Sequence, residues 1–303
     1  MEKEVEYILS RARRAERLVF VWNPRSSKAL RVKKEAYEPI FEALSKKFYS
    51  FEIAKAPVPE NVKRLNAVLK DGDVVIVAGG DGTALVGLNS VVETGKNVQF
   101  YALPFGNFND MPRTLKRHRQ GTIKPIEALV NGSHYQYAAC YFTMGMMAEA
   151  TEIFDSPVVR GKLKEGGKSR PVFSVLQLAK WYFRNKHRQF IMPVEIDGKF
   201  YKKGLSDAMA VNGASVAKMI KGGDMASTDE FIAVKGQLTS FVRLCVFMAR
   251  GILFRVPGVK DTSMKFKFSR PTVVEIQAEG EYKRVEDVNT VEFRKVNKEV
   301  KVL

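Results

Sequence analysis

Asp73-Val74-Val75-Ile76-Val77-Ala78-Gly79-Gly80-Asp81-Gly82-Thr83 sets an unbroken apolar run directly against a glycine-rich turn that carries one carboxylate. A short apolar run closed by turn residues predicts a buried strand of the parallel kind. Because glycine has no Cβ, Gly79, Gly80 and Gly82 can bring backbone N–H groups close to an anion. Thr83 is expected to cap and open a helix over residues 84–92, whose positive N-terminal end would face the same ligand. The stretch predicts phosphate binding, and by itself no particular reaction.

Outward from this stretch the same logic repeats. Residues 17–22 read as a strand running into the polar turn Asn23-Pro24-Arg25-Ser26-Ser27-Lys28. A helix is expected over 33–48, a strand over 50–54 and a helix over 60–70. After the central stretch, a strand over 99–103 ends at Pro104-Phe105-Gly106-Asn107-Phe108-Asn109-Asp110. Alternation of this kind predicts a doubly wound, Rossmann-like α/β domain with ligands at the carboxyl ends of its strands, where three polar turns converge. A short charged helix over 1–17 precedes this domain, which spans 18–125. From residue 126 the pattern becomes strand-like alternation, over 135–141, 192–200, 208–211 and 272–277, so 126–303 reads as a second, β-rich domain. Two helices interrupt it, over 171–190 and 238–254. The second is nearly all apolar apart from Arg243 and Arg250, and is expected to pack on the sheet with both arginines exposed, the alternative being that it dips into a membrane interface.

Composition narrows the partners. The chain has 303 residues, 45% hydrophobic and 27% charged, with a net charge of +17. That describes a folded protein of about two domains with an anionic partner. No run approaches the roughly 20 apolar residues of a membrane span, and no signal-peptide pattern opens the chain, so a cytoplasmic location is expected. The basic residues are densest over 160–188, interleaved with Trp181, Tyr182 and Phe183. No zinc-finger, basic-zipper or RNA-binding signature accompanies them, so no specific nucleic-acid partner is expected. Cys140 and Cys245 lack metal-ligand spacing and read as buried free thiols. His118, His134 and His187 have no metal or triad partners in the sequence. Lys162 stands where a Walker motif ending at Gly167-Lys168-Ser169 needs its first glycine, and Gly80-Asp81-Gly82 lacks the third glycine of a dinucleotide fingerprint.

Gly79-Gly80-Asp81-Gly82-Thr83 together with the turn from Pro104 through Asp110 to Arg113 resembles the diacylglycerol kinase catalytic family, which includes bacterial soluble lipid kinases and the sphingosine kinases. The first motif is shared with NAD kinases; the second is characteristic of the lipid branch. Gln277-Ala278-Glu279-Gly280-Glu281 is similar to the family's late Asp-Gly-Glu motif, with Glu279 in place of Asp. Further departures are Ser27 for a glycine, Asn107 and Phe108 for small residues, and Met147 for an acid.

The resemblance implies a two-domain kinase with ATP in the cleft between the α/β domain and a β-sandwich-type domain. It implies an ATP- and Mg²⁺-dependent transfer of the γ-phosphate to the hydroxyl of a lipid alcohol such as diacylglycerol. Gly79, Gly80, Gly82, Thr83, Gly106, Asn107, Asn109 and Asn23 would contact the nucleotide. Asp81 and Asp110 would act on Mg²⁺, Asp81 also being catalytic, and Glu281 would be the base on the acceptor hydroxyl. Asp229 lies where some members hold a structural magnesium. An anionic membrane face is the expected peripheral partner, and the sequence leaves a homodimer open. The alternatives are an NAD kinase and a catalytically weak lipid- or nucleic-acid-binding homologue.

Overall fold

The computed structural model describes residues 6–303 apart from 9, 12, 14, 26–27, 45, 107–108, 156–158, 160–169, 186–191 and 237–239. Strand β1 (Leu18–Trp22), helix α1 (Lys28–Leu44), β2 (Phe48–Glu52), α2 (Val58–Val68), β3 (Val74–Gly79), α3 (Asp81–Thr94), β4 (Gln99–Pro104) and α4 (Asp110–Arg117) alternate in sequence order. β1 pairs in parallel with β2 and β3, and β3 with β4. β3 is buried at all six positions, which is why its sequence is continuously apolar rather than alternating. α3 is buried from Thr83 to Val92, as expected of a helix that is apolar all round. Gly87 permits that approach: a Cβ there would lie 2.5 Å from Val77 and 2.9 Å from Phe100.

The chain then passes through β5 (Thr122–Ile123) into a second, antiparallel sheet. Its strands are β6 (Ile126–Val130), β7 (Ser133–Ala138), β8 (Tyr141–Gly145), β9 (Met192–Ile196), β10 (Lys199–Leu205), β11 (Asp207–Val211), β14 (Phe231–Gly236), β15 (Val259–Asp261), β16 (Ser263–Ala278) and β17 (Glu281–Lys295). A separate hairpin joins β12 (Ser215–Val216) to β13 (Ile220–Lys221), and helices α5 (Met146–Asp155), α6 (Arg170–Asn185) and α7 (Phe241–Leu253) lie between strands. The segment 126–303 is not confined to this sheet. Its last strand, β18 (Val300–Val302), returns to the first one, parallel to β4 and antiparallel to β5.

The long β16–β17 hairpin organises the second sheet. Register shifts between Lys267 and Thr272 bend it, so β9 pairs with its first half and β8 with its last. The sheet curls over its own core, in which Phe142 stacks on Phe293 with ring centroids 5.3 Å apart. Phe293→Ala is expected to cost about 3–5 kcal/mol, read as a lower denaturant midpoint; a change under about 1 kcal/mol would deny this stack its place in the core.

Two contacts lock the sheets together through α3. Leu85 is buried in the core of the second sheet. The buried Asn89 accepts the Tyr137 N–H at 2.8 Å and donates to the Tyr137 carbonyl at 3.0 Å. The helix that starts at the glycine turn is therefore fixed to both halves of the molecule.

Candidate active site

In-register pairing sets Trp22 beside Ala78 and Gly79 beside Pro104, so the turns after β1, β3 and β4 leave the sheet along one edge. The latter two touch. A Cβ on Gly106 would stand 3.0 Å from the Gly80 Cα and 3.0 Å from Asn109 Oδ1, so the approach requires glycine. Asn109 caps α4 with φ 57 and ψ 40, a left-handed conformation that Asn tolerates.

The helix after the glycine turn opens earlier than the sequence suggests. Gly80 is its N-cap and Asp81 lies in its first turn, where a carboxylate suits the helix dipole. Thr83 is not the cap. Its side chain is buried against Gly79, where a Cβ would lie 2.5 Å from it.

Four carboxylates gather around this edge. Asp81 accepts hydrogen bonds from the backbone N–H groups of Asn109 and Asp110, which tie the glycine turn to the start of α4. Burial, then the charges of Asp110 and Glu281, nevertheless push its pKa up to about 7. Asp110 is buried and held from the second half of the molecule. Its Oδ1 accepts the Ser215 hydroxyl at 2.5 Å and the Lys218 N–H at 3.0 Å, with Arg113 at 3.5 Å. Ala217 and Lys218 are both left-handed, φ 48 and 63, so the β12–β13 turn forms a backbone concavity around that carboxylate. Burial still raises the Asp110 pKa above its ordinary value.

The other two come from the β16–β17 hairpin. Ala278 pairs with Glu281, leaving Glu279 (φ 51) and Gly280 (φ 94) as a two-residue turn with both residues left-handed. This turn brings Glu281 against the glycine turn of the first sheet, where a Cβ on Gly82 would overlap the Glu281 carboxylate. Glu279 is buried. Its Oε1 accepts the Cys140 N–H at 2.5 Å, while Oε2 is buried with no hydrogen-bond partner among the described residues. Its pKa is pushed up to about 8, by burial first and by Asp81 and Asp110 as well. A non-glycine residue in this conformation, with half its carboxylate unpaired, marks strain stored at a site.

The structure thus brings together Gly79, Gly80, Asp81, Gly82, Thr83, Gly106, Asn109, Asp110 and Glu281. Asn23 stands at the end of β1, with Oδ1 accepting the Arg25 N–H at 3.0 Å. Asn107, with Phe108 and Ser27, lies outside the described residues. Glu279, Ser215 and the Lys218 and Cys140 N–H groups join the site from parts of the sequence that carried no assigned role. Only Glu279 had a signal, as the altered acid beside Glu281. The cysteines divide: Cys140 is buried, whereas Cys245 is exposed on α7, which corrects its expected burial.

A cation fits the first of the two expected metal positions. Asp110 raises the Asp81 pKa, both acids raise that of Glu279, and one Glu279 oxygen is buried with no hydrogen-bond partner among the described residues. Among the described residues no group of three acids, histidines or cysteines converges as a ready metal cage, and Mg²⁺ held by one or two carboxylates would need none. Asp229 does not fit. Its carboxylate is exposed and paired with the Lys124 ammonium at 2.6 Å, and Lys295 donates to the Lys124 and Met225 carbonyls at 2.7 and 3.1 Å. The Lys124 ammonium already supplies positive charge at this exposed carboxylate, so the expected structural magnesium at Asp229 is withdrawn.

The raised acids have a consequence for stability. Asp81 and Glu279 keep protons in the folded state that the unfolded chain has lost, so stabilisation present below the ordinary carboxylate range disappears as pH rises through about 7 and 8. The melting temperature of the ligand-free protein should fall between about pH 5 and pH 8, and Glu279→Gln should flatten that fall. An unchanged slope in Glu279→Gln would contradict the assignment.

Comparison with known proteins points the same way. Residues 17–141 match the Diacylglycerol kinase catalytic domain family. A Staphylococcus aureus protein named Putative lipid kinase SAB0675c is 27% identical over 183 residues, 57% of this chain and 55% of its own length. A second from the same species, of strain N315, is 26% identical over the same span. The matched region is thus about half the length of these relatives. A crystal structure of a diacylglycerol kinase from Bacillus anthracis superposes with a TM-score of 0.64 at 17% identity, covering 93% of this chain and 94% of that one. Another from that organism reaches 0.64 at 18% identity, covering 95% and 97%. At such identities the superpositions establish the fold alone: a parallel α/β sheet joined to a separate antiparallel one. The strand ends, the glycine turn and Asp110 all lie inside the matched segment, so residues 17–141 are similar to the diacylglycerol kinase catalytic domain family.

Proposed function

We propose that this protein is an ATP-dependent lipid kinase that moves the γ-phosphate of ATP to a hydroxyl of a lipid such as diacylglycerol. The observation that carries the reading is the seating of Glu281, from the antiparallel sheet, directly over Gly82 of the glycine turn. A base from one sheet thereby faces a phosphate cradle on the other, the arrangement that a transfer between two bound substrates needs.

The backbone N–H groups at the start of α3, freed by Gly79, Gly80 and Gly82, would hold the nucleotide phosphates. Asn109 and Asn23 add polar contacts at the neighbouring strand ends. Asp81 would bind Mg²⁺, with Asp110 acting from within its hydrogen-bonded setting. Bound there, the ion would offset charge on the phosphoryl oxygens. Glu281 would orient the acceptor hydroxyl and take its proton. The buried Glu279 sets the hairpin turn from which Glu281 projects. The setting we propose is the cytoplasmic face of an anionic membrane, where a protein of charge +17 is drawn to its substrate.

Incubation with γ-labelled ATP and a panel of diacylglycerol, monoacylglycerol, sphingosine, undecaprenol, phosphatidylglycerol and NAD tests this. Label in the organic phase is the expected result. Label on NAD would replace the reading with an NAD kinase, and no transfer at all with a binding protein.

A further inference from the structure

Helix α7 packs one face on the β12–β13 hairpin: Leu244, Phe247, Met248 and Gly251 are buried, and a Cβ on Gly251 would lie 2.7 Å from Ile220. Its opposite face should be polar in a helix that merely covers a core. It is apolar instead. Val242, Val246, Ala249 and Leu253 recur at i, i+4, i+7 and i+11, and all four are exposed, Val242 at 68% and Leu253 at 65%. Phe254, just past the helix, is 75% exposed.

The stripe continues onto α6. Leu176 and Phe183, seven residues apart on one face, are both exposed, and the Phe183 ring lies 4.8 Å from that of Phe241 at the start of α7. Residues 231–260 contain five Lys or Arg and no Asp or Glu, and Arg243, Arg250, Arg255, Lys180 and Arg184 are exposed around the apolar stripe.

We propose that this face of α7, extended by α6, is the surface by which the protein docks on an anionic lipid bilayer, with the apolar stripe entering the acyl boundary and the arginines meeting the phosphate headgroups. An exposed apolar helix face flanked by arginines matches an interfacial helix lying in the headgroup plane. A second copy of the chain fits less well, because two such faces would set their arginines against each other in chains each carrying +17. The hairpin beneath α7 is the one whose turn holds Asp110, so the docking face lies beside the carboxylate cluster. The inference deepens the lipid-kinase reading and rests on it for its purpose, but its test requires no turnover.

The test is sedimentation of the full chain with phosphatidylcholine vesicles, with and without phosphatidylglycerol, comparing wild type with the double variant Val246→Asp/Leu253→Asp. Both sites are exposed, and a melting curve confirms that the variant folds. Wild type should pellet with the anionic vesicles and far less with the neutral ones, and the double variant should lose binding about tenfold or more. Equal binding by both proteins, or no binding by wild type, would overturn the proposal. So would a wild-type dimer that the double variant splits while neither form binds vesicles, which would give the face to a second copy. Vesicle binding without any transfer of label from ATP would retain the docking surface and reject the kinase.

Discussion

Glu281→Gln is expected to lower turnover by about 10²–10⁴-fold and to leave nucleotide affinity nearly unchanged, as for loss of a general base. The substitution keeps the shape of the side chain and so keeps its packing against Gly82. It removes the carboxylate that the β16–β17 hairpin seats against Gly82 of the glycine turn. The turn that carries it, Glu279 and Gly280 with both φ angles positive, is unaffected, so the fold should melt at an unchanged temperature. Nucleotide titration and single-turnover rates on one preparation separate the two roles. Full turnover in Glu281→Gln would remove Glu281 from the chemistry, whereas weakened nucleotide binding would make it a phosphate-site residue.

Asp81→Asn is expected to lower turnover by about 10²-fold or more, about 2.7 kcal/mol of transition-state stabilisation, and to shift the magnesium response to higher concentrations. Its effect on the fold runs the other way. Asp81 is repelled by Asp110 and Glu281 and pays a desolvation cost that drives its pKa to about 7. An amide at this position still accepts an N–H from the start of α4 and carries no charge, so the ligand-free variant should melt at the same temperature or above wild type, most visibly near pH 8. Gain of stability with loss of activity is the mark of a group kept for function. A variant that lost both together would show that Asp81 serves mainly to fasten α4.

The parallel half of the fold was legible because its signals are local. An unbroken apolar strand, a glycine turn and a helix that is apolar all round follow one another within residues 73–92, and period and turn chemistry suffice to read them. The start of α3 was misjudged by three residues, since Thr83 looks like a cap until its side chain is seen folded onto Gly79. The antiparallel half was legible only in kind. Its β16–β17 hairpin pairs residues such as Ser263 and Arg294, and β8 reaches β16 across more than a hundred residues. No local pattern encodes such pairings.

The site divides along the same line. Asp81, Gly82, Gly106 and Asp110 could be read from turns in the first sheet. The hold on Asp110 by Ser215 and Lys218 could not, because it depends on where a two-stranded hairpin lands. Asp229 was misassigned for a related reason: the ammonium group of Lys124 reaches it only in the folded chain. The apolar face of α7 was visible as composition, but its exposure depends on which face β13 covers.

The central claim is that the site where Glu281 meets the glycine turn transfers a phosphoryl group from ATP to a lipid hydroxyl. Phosphorus NMR of wild type and Glu281→Gln, each with ATP, magnesium and diacylglycerol in mixed micelles, tests it most directly. The account predicts that wild type forms ADP and a lipid phosphomonoester in equal amounts and that Glu281→Gln forms neither while still binding ATP. ADP accompanied only by inorganic phosphate, or no ADP from wild type, would contradict it.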